Sequence, residues 1–308
     1  MKLTKLPRFK RGLMKFLRSF RAGIAVVLYL MNLLFWCTFL IILGLFFYLI
    51  PLKIWRRNCK PWMEHLPVYW IRGNCFIQEL TTSIKWDVTG LEQLTYNEWY
   101  LLIANHQSWA DILILQDIFN EKIPTLKFFL KKELLWTLPF GSWACWLLGF
   151  PFMHRYSKKV LTKHPELKNK DIETTKHACQ RFKVAPTVVA SFIEGTRFSD
   201  RKRRLQESPY QYLLRPKSTG IGFSLAVLGD FFHKILNVTI VYPPKKASLW
   251  HFLSGNIKKI TVHIEALPIT SDCLGDYQND RQFRANFQKK LNELWAQKDK
   301  LISEIQTH

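Results

Sequence analysis

The sequence predicts an α/β protein in which a mixed, mainly parallel sheet is flanked by helices, preceded by an N-terminal apolar helix pair that anchors it in a membrane. Three observations predict it. From residue 84 onward, short β-rich runs alternate with longer helical patterns, the arrangement that builds parallel sheets. Residues 22–52 carry no charge at all, a run far beyond the length of a core helix segment. Two apolar runs also end abruptly in polar clusters, and ligands of open α/β sheets gather where strands end.

The first 21 residues carry Lys2, Lys5, Arg8, Lys10, Arg11, Lys15, Arg18 and Arg21 and no acid. The apolar run that follows exceeds the roughly 20 residues that cross a bilayer. It is also too long for the core of a signal peptide, about 7 to 15 residues. Basic residues resume at Lys53, Arg56, Arg57 and Lys60, so both flanks favour the cytoplasmic side. We therefore expect two apolar helices, broken near Asn32 or Gly44, that enter one leaflet and return; a single tilted span is the alternative. Residues 1–60 form the basic arm and anchoring helices, and residues 61–308 the catalytic domain. With Lys+Arg 45 against Asp+Glu 23 and a net charge of +22, the partners are anionic. No aromatic-basic recognition motif supports nucleic acid, whereas the uncharged segment points to a phospholipid membrane.

Residues 61–78, rich in Trp and Pro, read as an irregular connection or short interfacial helices. "IKWDVTGLE" predicts a strand closed by a turn, "WYLLIAN" a second strand, and "WADILILQDIF" a helix. Residues 134–153 are apolar almost throughout and form either a buried helix pair or a surface facing a membrane or lipid chain. A helix is expected over 171–185, a strand with a turn in "PTVVASFIEGTR", and a helix over 217–229. "LNVTIVYPP" and "KKITVHIEALP" are strands ended by proline. Over 280–305, Phe283, Phe287, Leu291, Leu294, Leu301 and Ile305 recur at helical spacing, with Asp280 able to cap the start. Six cysteines without a CxxC pattern read as free thiols, not as a disulfide framework or zinc site.

In "LLIANHQSWADILIL", residues 101–115, His106 occupies the turn after a strand and Asp111 the first turn of the next helix. That offset can bring the carboxylate onto one imidazole nitrogen, leaving the other as a base. The spacing alone is a weak signal, and Asn105 and Asp111 could equally serve as caps. A second cluster, "SFIEGTRF" at 191–198, follows another apolar strand with Glu194 and Arg197, where Gly195 permits a sharp turn. Taken alone it could be a structural Glu-Arg pair. Arginine, however, also offers a planar fork suited to phosphate.

Together these residues resemble the glycerolipid acyltransferases that include the 1-acylglycerol-3-phosphate (lysophosphatidic acid) acyltransferases. "NHQSWAD" resembles that family's NHxxxxD block, with His106 and Asp111 at its key positions. "KKEL" at 131–134 and "GFPFMHR" at 149–155 resemble the second block, "FIEGTR" the third, and "VYPP" at 241–244 the fourth. "LLRPKSTGIG" at 213–222 is similar to a further stretch with a Pro-Lys pair. The resemblance spans about residues 80–270 in the family's order. It departs at Ile193, where many members have proline, which adjusts the turn rather than the chemistry. The resemblance implies the glycerol-3-phosphate acyltransferase-like fold and transfer of an acyl group from acyl-CoA or acyl-carrier protein to a glycerolipid hydroxyl. His106 would be the general base and Asp111 its orienting acid. Glu194, Gly195, Thr196 and Arg197 would hold the acceptor's phosphate and glycerol, with Arg155 and Lys131 adding positive charge. Ser108 is a helix-start residue, so direct attack by the acceptor is favoured over an acyl-enzyme. No metal or cofactor is required. The favoured acceptor is lysophosphatidic acid; glycerol 3-phosphate, lysophosphatidylglycerol or lysocardiolipin would use the same dyad, and a non-catalytic membrane-anchored lipid-binding protein is the alternative. The implied place is a membrane with the catalytic domain on its cytoplasmic face, a bacterial inner membrane. The run 201–204, "RKRR", is either a solvated loop or an attractor for an acidic donor.

Overall fold

The computed structural model describes residues 8–50, 53–137, 139–153, 181–183 and 185–307. Six strands form one sheet: β1 (Lys85–Thr89), β2 (Trp99–Ala104), β3 (Leu126–Phe128), β6 (Val188–Phe192), β7 (Phe232–Val241) and β8 (Lys259–Pro268). Their order is β1-β8-β7-β2-β6-β3. Every neighbouring pair is parallel except β7 with β8. The expected mixed, mainly parallel sheet is thus present. Two further short strands, β4 (Leu130–Lys131) and β5 (Phe152–Met153), pair with each other.

β2 lies at the centre, and its sequence, WYLLIA, explains why: it is apolar on both faces, as a strand covered on both sides must be. Tyr100, Leu102 and Ala104 enter one core with α3 (Ala110–Phe119) and Ala22 and Ala25. Leu101 and Ile103 enter the other, which is closed by α7 (Thr219–Leu228) and α9 (Arg281–Thr307) through Ile221, Leu225, Phe287, Leu291 and Trp295. The period of two residues therefore assigns alternate side chains to opposite helix layers. Asp280 caps α9 as expected, accepting the Phe283 N–H at 2.9 Å.

The N-terminal region differs from its expected form. α1 (Arg8–Leu49) is one continuous 42-residue helix that runs through both Asn32 and Gly44; the reversal comes only after it, and α2 (Lys53–Thr81) packs back along it. Neither residue breaks the helix because each is used for packing. Asn32 donates to Trp70 O and to Asn74 Oδ1, both at 2.9 Å, and fits over Gly73, where a Cβ would lie 2.4 Å from its Oδ1. Gly44 makes room for Leu147 of α5 (Pro139–Leu147). Residues 61–78, expected to be an irregular connection or short interfacial helices, belong to one long helix, α2, held to α1 by contacts such as the stacking of Trp36 on Tyr69.

A single helix, over Gly12–Phe47, is long and apolar enough to cross a membrane among the described residues. Its exposed residues Phe16, Phe20, Ile24, Val27, Met31, Leu34, Ile42, Leu45 and Leu49 form a stripe along nearly its whole length, while Ala22, Ala25, Cys37 and Leu40 are buried on the opposite side. At 1.5 Å per residue the whole of α1, 42 residues, is about 63 Å long, twice the roughly 30 Å of a hydrocarbon core. Within residues 134–153, Ala144 is buried against α1, whereas Phe140, Trp143 and Trp146 are exposed. The helix expected over 171–185 falls largely outside the described residues.

Candidate active site

Parallel strands β2, β6 and β7 end side by side, so the turns that follow β2 and β6 and the end of β7 meet at one edge of the sheet. Where β2 stops, Asn105 extends its pairing with a side chain. The fully buried amide donates from Nδ2 to Ile240 O at 2.9 Å and accepts the Ile240 N–H at 2.8 Å. This imitates a backbone pair and lets the chain turn without leaving the Ile240 groups unsatisfied.

The turn then carries His106, whose Nδ1 lies 2.8 Å from Asp111 Oδ2. A carboxylate only accepts, so Nδ1 bears the proton. Asp111 is completely buried at the start of α3. Its Oδ2 also accepts the N–H groups of Gln107 at 2.7 Å and Ser108 at 2.8 Å, and its Oδ1 accepts the Tyr242 O–H at 2.5 Å. Four donors converge on one carboxylate, which fixes its position and offsets its loss of water. The imidazole stacks on Phe192 of β6, centroids 4.0 Å apart, and Phe192 stacks on Phe128. Nε2 has no hydrogen-bond partner among the described residues, and the side chain is 12% exposed. Ser108 Oγ accepts the Ala110 N–H at 3.1 Å, the helix-start role expected of it.

Glu194 stands apart from the other residues of its cluster. It is completely buried, and its two oxygens accept the N–H of His106 at 3.1 Å and of Leu214 at 2.9 Å. Both oxygens are thereby spent on backbone, and the carboxylate bridges the two turns from below instead of facing the open edge. Burial pushes its pKa up to about 8, while the two amide donors and Lys298 pull the other way. Lys298 lies inside the protein on α9, over the Trp295 ring, and its ammonium donates to Val238 O at 2.5 Å. Burial lowers its pKa to about 7; Glu194 and Glu265 oppose that shift.

Of the other residues that carry the cluster's chemistry, Gly195 and Arg197 are exposed and Thr196 is half-buried. Gly195 takes φ +71, a conformation few residues other than glycine adopt, and the Lys217 amine lies against it: a Cβ there would meet Nζ at 3.0 Å. The Arg197 guanidinium lies 4.6 Å from the centre of the Trp109 ring, tying the second turn to the first. Lys202, from the short helix α6 (Asp200–Leu205), donates to Thr196 Oγ1 at 2.7 Å and to Arg197 O at 3.0 Å. Arg197, Lys202 and Lys217 thus surround Gly195 and Thr196 with positive charge beside the dyad. Part of the "RKRR" run is therefore engaged with the site. Lys131 lies on β4, where its backbone pairs with Met153 of β5; Arg155 lies outside the described residues. The sequence placed Tyr242 only within the "VYPP" block and Lys202 only within the "RKRR" run, without the contacts found here, and gave no role to Lys298. For Lys298 a signal existed, because it falls on the apolar stripe of α9 between Leu294 and Leu301.

A family model described as Acyltransferase matches residues 85–242, which contain both turns and Tyr242. A protein of Saccharomyces cerevisiae named 1-acyl-sn-glycerol-3-phosphate acyltransferase is 32% identical over 136 residues, covering 44% of this chain and 40% of the relative. The match thus spans less than half of that protein's length. Among solved structures, the 1-acyl-sn-glycerophosphate (LPA) acyltransferase PlsC of Thermotoga maritima matches with a TM-score of 0.54 and 15% identity, covering 96% of this chain and 98% of that one. At that identity the likeness is one of fold.

Proposed function

Because the chain belongs to the Acyltransferase family, we propose that it moves a fatty acyl group from acyl-CoA or acyl-carrier protein to the free hydroxyl of 1-acylglycerol-3-phosphate, giving phosphatidic acid. The observation that carries this reading is a histidine held through Nδ1 by a buried aspartate, with Nε2 unbonded among the described residues and the cations Arg197, Lys202 and Lys217 around the neighbouring turn.

An alcohol barely ionises near neutrality, so its proton must leave as its oxygen attacks. His106 Nε2 takes that proton while the oxygen bonds to the thioester carbonyl carbon, and Asp111 stabilises the imidazolium that forms. Collapse of the tetrahedral adduct breaks the carbon–sulfur bond, and the departing thiolate recovers the proton from His106. The helix-start role of Ser108, which is 2% exposed, supports direct attack over an acyl-enzyme. Arg197, Lys202 and Lys217 supply the charge for the acceptor's phosphate, and Arg155 and Lys131 are proposed to add to it. An apolar cavity between α1, α2, α3 and α5, lined by Trp36, Leu40, Ile71, Ala144 and Leu148, is the natural place for an acyl chain.

The stripe along α1 supports attachment to one membrane leaflet with the helix lying lengthwise, the catalytic domain facing the cytoplasm. The yeast relative's name favours lysophosphatidic acid over lysophosphatidylglycerol or lysocardiolipin. The test is a panel of lysophospholipid acceptors and both donors with purified protein, comparing wild type with His106→Ala. Turnover is expected to fall by about two or more powers of ten; near-normal rates in the variant would end the mechanism.

A further inference from the structure

A second polar cavity, of about 510 Å³, opens between the N-terminal part of α1 and the segment joining β7 to β8. Lys15 and Arg18 line it from α1, and Lys246 and Lys258 from the segment. Trp250 and His251 of α8 (Leu249–Leu253) also line it, with Ser19, Ser254 and Asn256, and among the described residues no acidic side chain does. Trp250 is 51% exposed, while the His251 Nδ1 is buried without a hydrogen-bond partner. Arg21 fastens α1 to this floor, donating to Ser254 O at 2.8 Å and lying over Gly255, whose φ of +65 leaves no Cβ in its path. Four cations are therefore held around one space by two separate parts of the chain.

Its position indicates what fills it. The segment follows the carboxyl end of β7, the edge of the sheet that carries His106. On α1 the cavity lies where the basic residues give way to the uncharged run that begins at Ala22, next to the exposed Phe16 and Phe20. With the apolar stripe in a bilayer, Lys15 and Arg18 sit at the depth of lipid phosphates, and an exposed tryptophan belongs at that level. We propose that this cavity binds the phosphate of an anionic membrane phospholipid, at a site separate from the catalytic dyad. The proposal rests on the reading that α1 lies on a membrane.

The shared chemistry, a phosphate, could also come from coenzyme A or free phosphate, so the experiment separates the sources. Full-length protein in uncharged detergent is titrated with dihexanoyl phosphatidylglycerol, coenzyme A or inorganic phosphate, and the thermal midpoint is followed to saturation. Wild type should saturate with the lipid, and Lys246→Gln/Lys258→Gln should need about thirtyfold more of it, from the loss of two cations near a phosphate. Lys15→Gln/Arg18→Gln, which alters the opposite wall, should show the same shift, and exposed Lys289→Gln none. His106→Ala should retain the full lipid response, so failure of acyl transfer and failure of this site are read apart. Flotation with neutral phosphatidylcholine vesicles tests the seating of α1 separately. Saturation of either double variant at the wild-type concentration would overturn the proposal. So would a dependence on these lysines that appears with coenzyme A or inorganic phosphate but not with the lipid.

Discussion

Asp111→Asn isolates charge from geometry in the dyad. The asparagine oxygen, placed where Oδ2 stands, can still accept from His106 Nδ1 and from the N–H groups of Gln107 and Ser108. Its amide nitrogen then meets Tyr242, whose hydroxyl can turn to accept. The fold should persist. What disappears is the negative charge beside the imidazolium in the transition state. Two unit charges about 4 Å apart attract by about 4 kcal/mol at an effective dielectric constant of about 20, and about 1.4 kcal/mol is tenfold in rate. The turnover number should therefore fall about a thousandfold, with the thermal midpoint little changed. Asp111→Ala should behave oppositely in stability. It strands the Ser108 N–H and the Tyr242 O–H in a buried site, at about 1–3 kcal/mol each, a large share of a typical total of about 5–15 kcal/mol. The assay is turnover at saturating donor and acceptor, paired with thermal unfolding. An asparagine variant within tenfold of wild type, or an alanine variant as stable as wild type, would refute the reasoning.

Arg197→Gln should raise KM for a phosphate-bearing acceptor about tenfold or more, from loss of a charge-assisted bond, and leave the thermal midpoint unchanged because the guanidinium is exposed; steady-state kinetics check this. Glu194→Gln retains one of two acceptors for the His106 and Leu214 amides, so it should cost about 1–3 kcal/mol of stability and lower kcat with little change in KM. A rise in KM alone would instead mean that Glu194 touches the acceptor. For Lys298, the unfolded chain holds its proton up to about pH 10.5 while the folded protein releases it near 7, so stability should rise with pH across that window, by up to about 1.4 kcal/mol per unit. Glu194 acts in the opposite direction, from pH 4.5 to about 8. Buried groups such as Cys145 and Tyr242, whose pKa values are raised by burial, pull the other way above about pH 9, so the lysine is read as a difference: in urea unfolding between pH 8 and 10 the slope of stability against pH should be more positive in wild type than in Lys298→Met.

The strands and turns that frame the site were legible because each apolar run stops where the polar residues begin, a signal contained within a few neighbouring positions. Asp280 was legible for the same reason. What was hidden lies far apart in the chain. Asn32 and Gly44 look like helix breakers when α1 is read alone; only α2 and α5 turn them into packing residues. Tyr242 reaches Asp111 across 131 positions, and nothing local marks it as a partner. For Glu194 the family resemblance implies a ligand-holding role, whereas the carboxylate is completely buried and accepts two backbone N–H groups. Its two amide partners, His106 in the turn after β2 and Leu214 in the segment before α7, lie 88 and 20 positions away and become visible only once the chain is folded.

The short side-chain amide of Asn105 has a consequence for how this scaffold can diversify. By standing in for a peptide unit it welds the base-bearing loop to its neighbour, and any replacement lacking both a donor and an acceptor would pull the loop free. Changes in ligand preference should thus accumulate on the rim around Arg197, Lys202 and Lys217, where residues can be exchanged without unseating His106 and Asp111. An engineer wanting a different product should randomise that rim and leave position 105 alone.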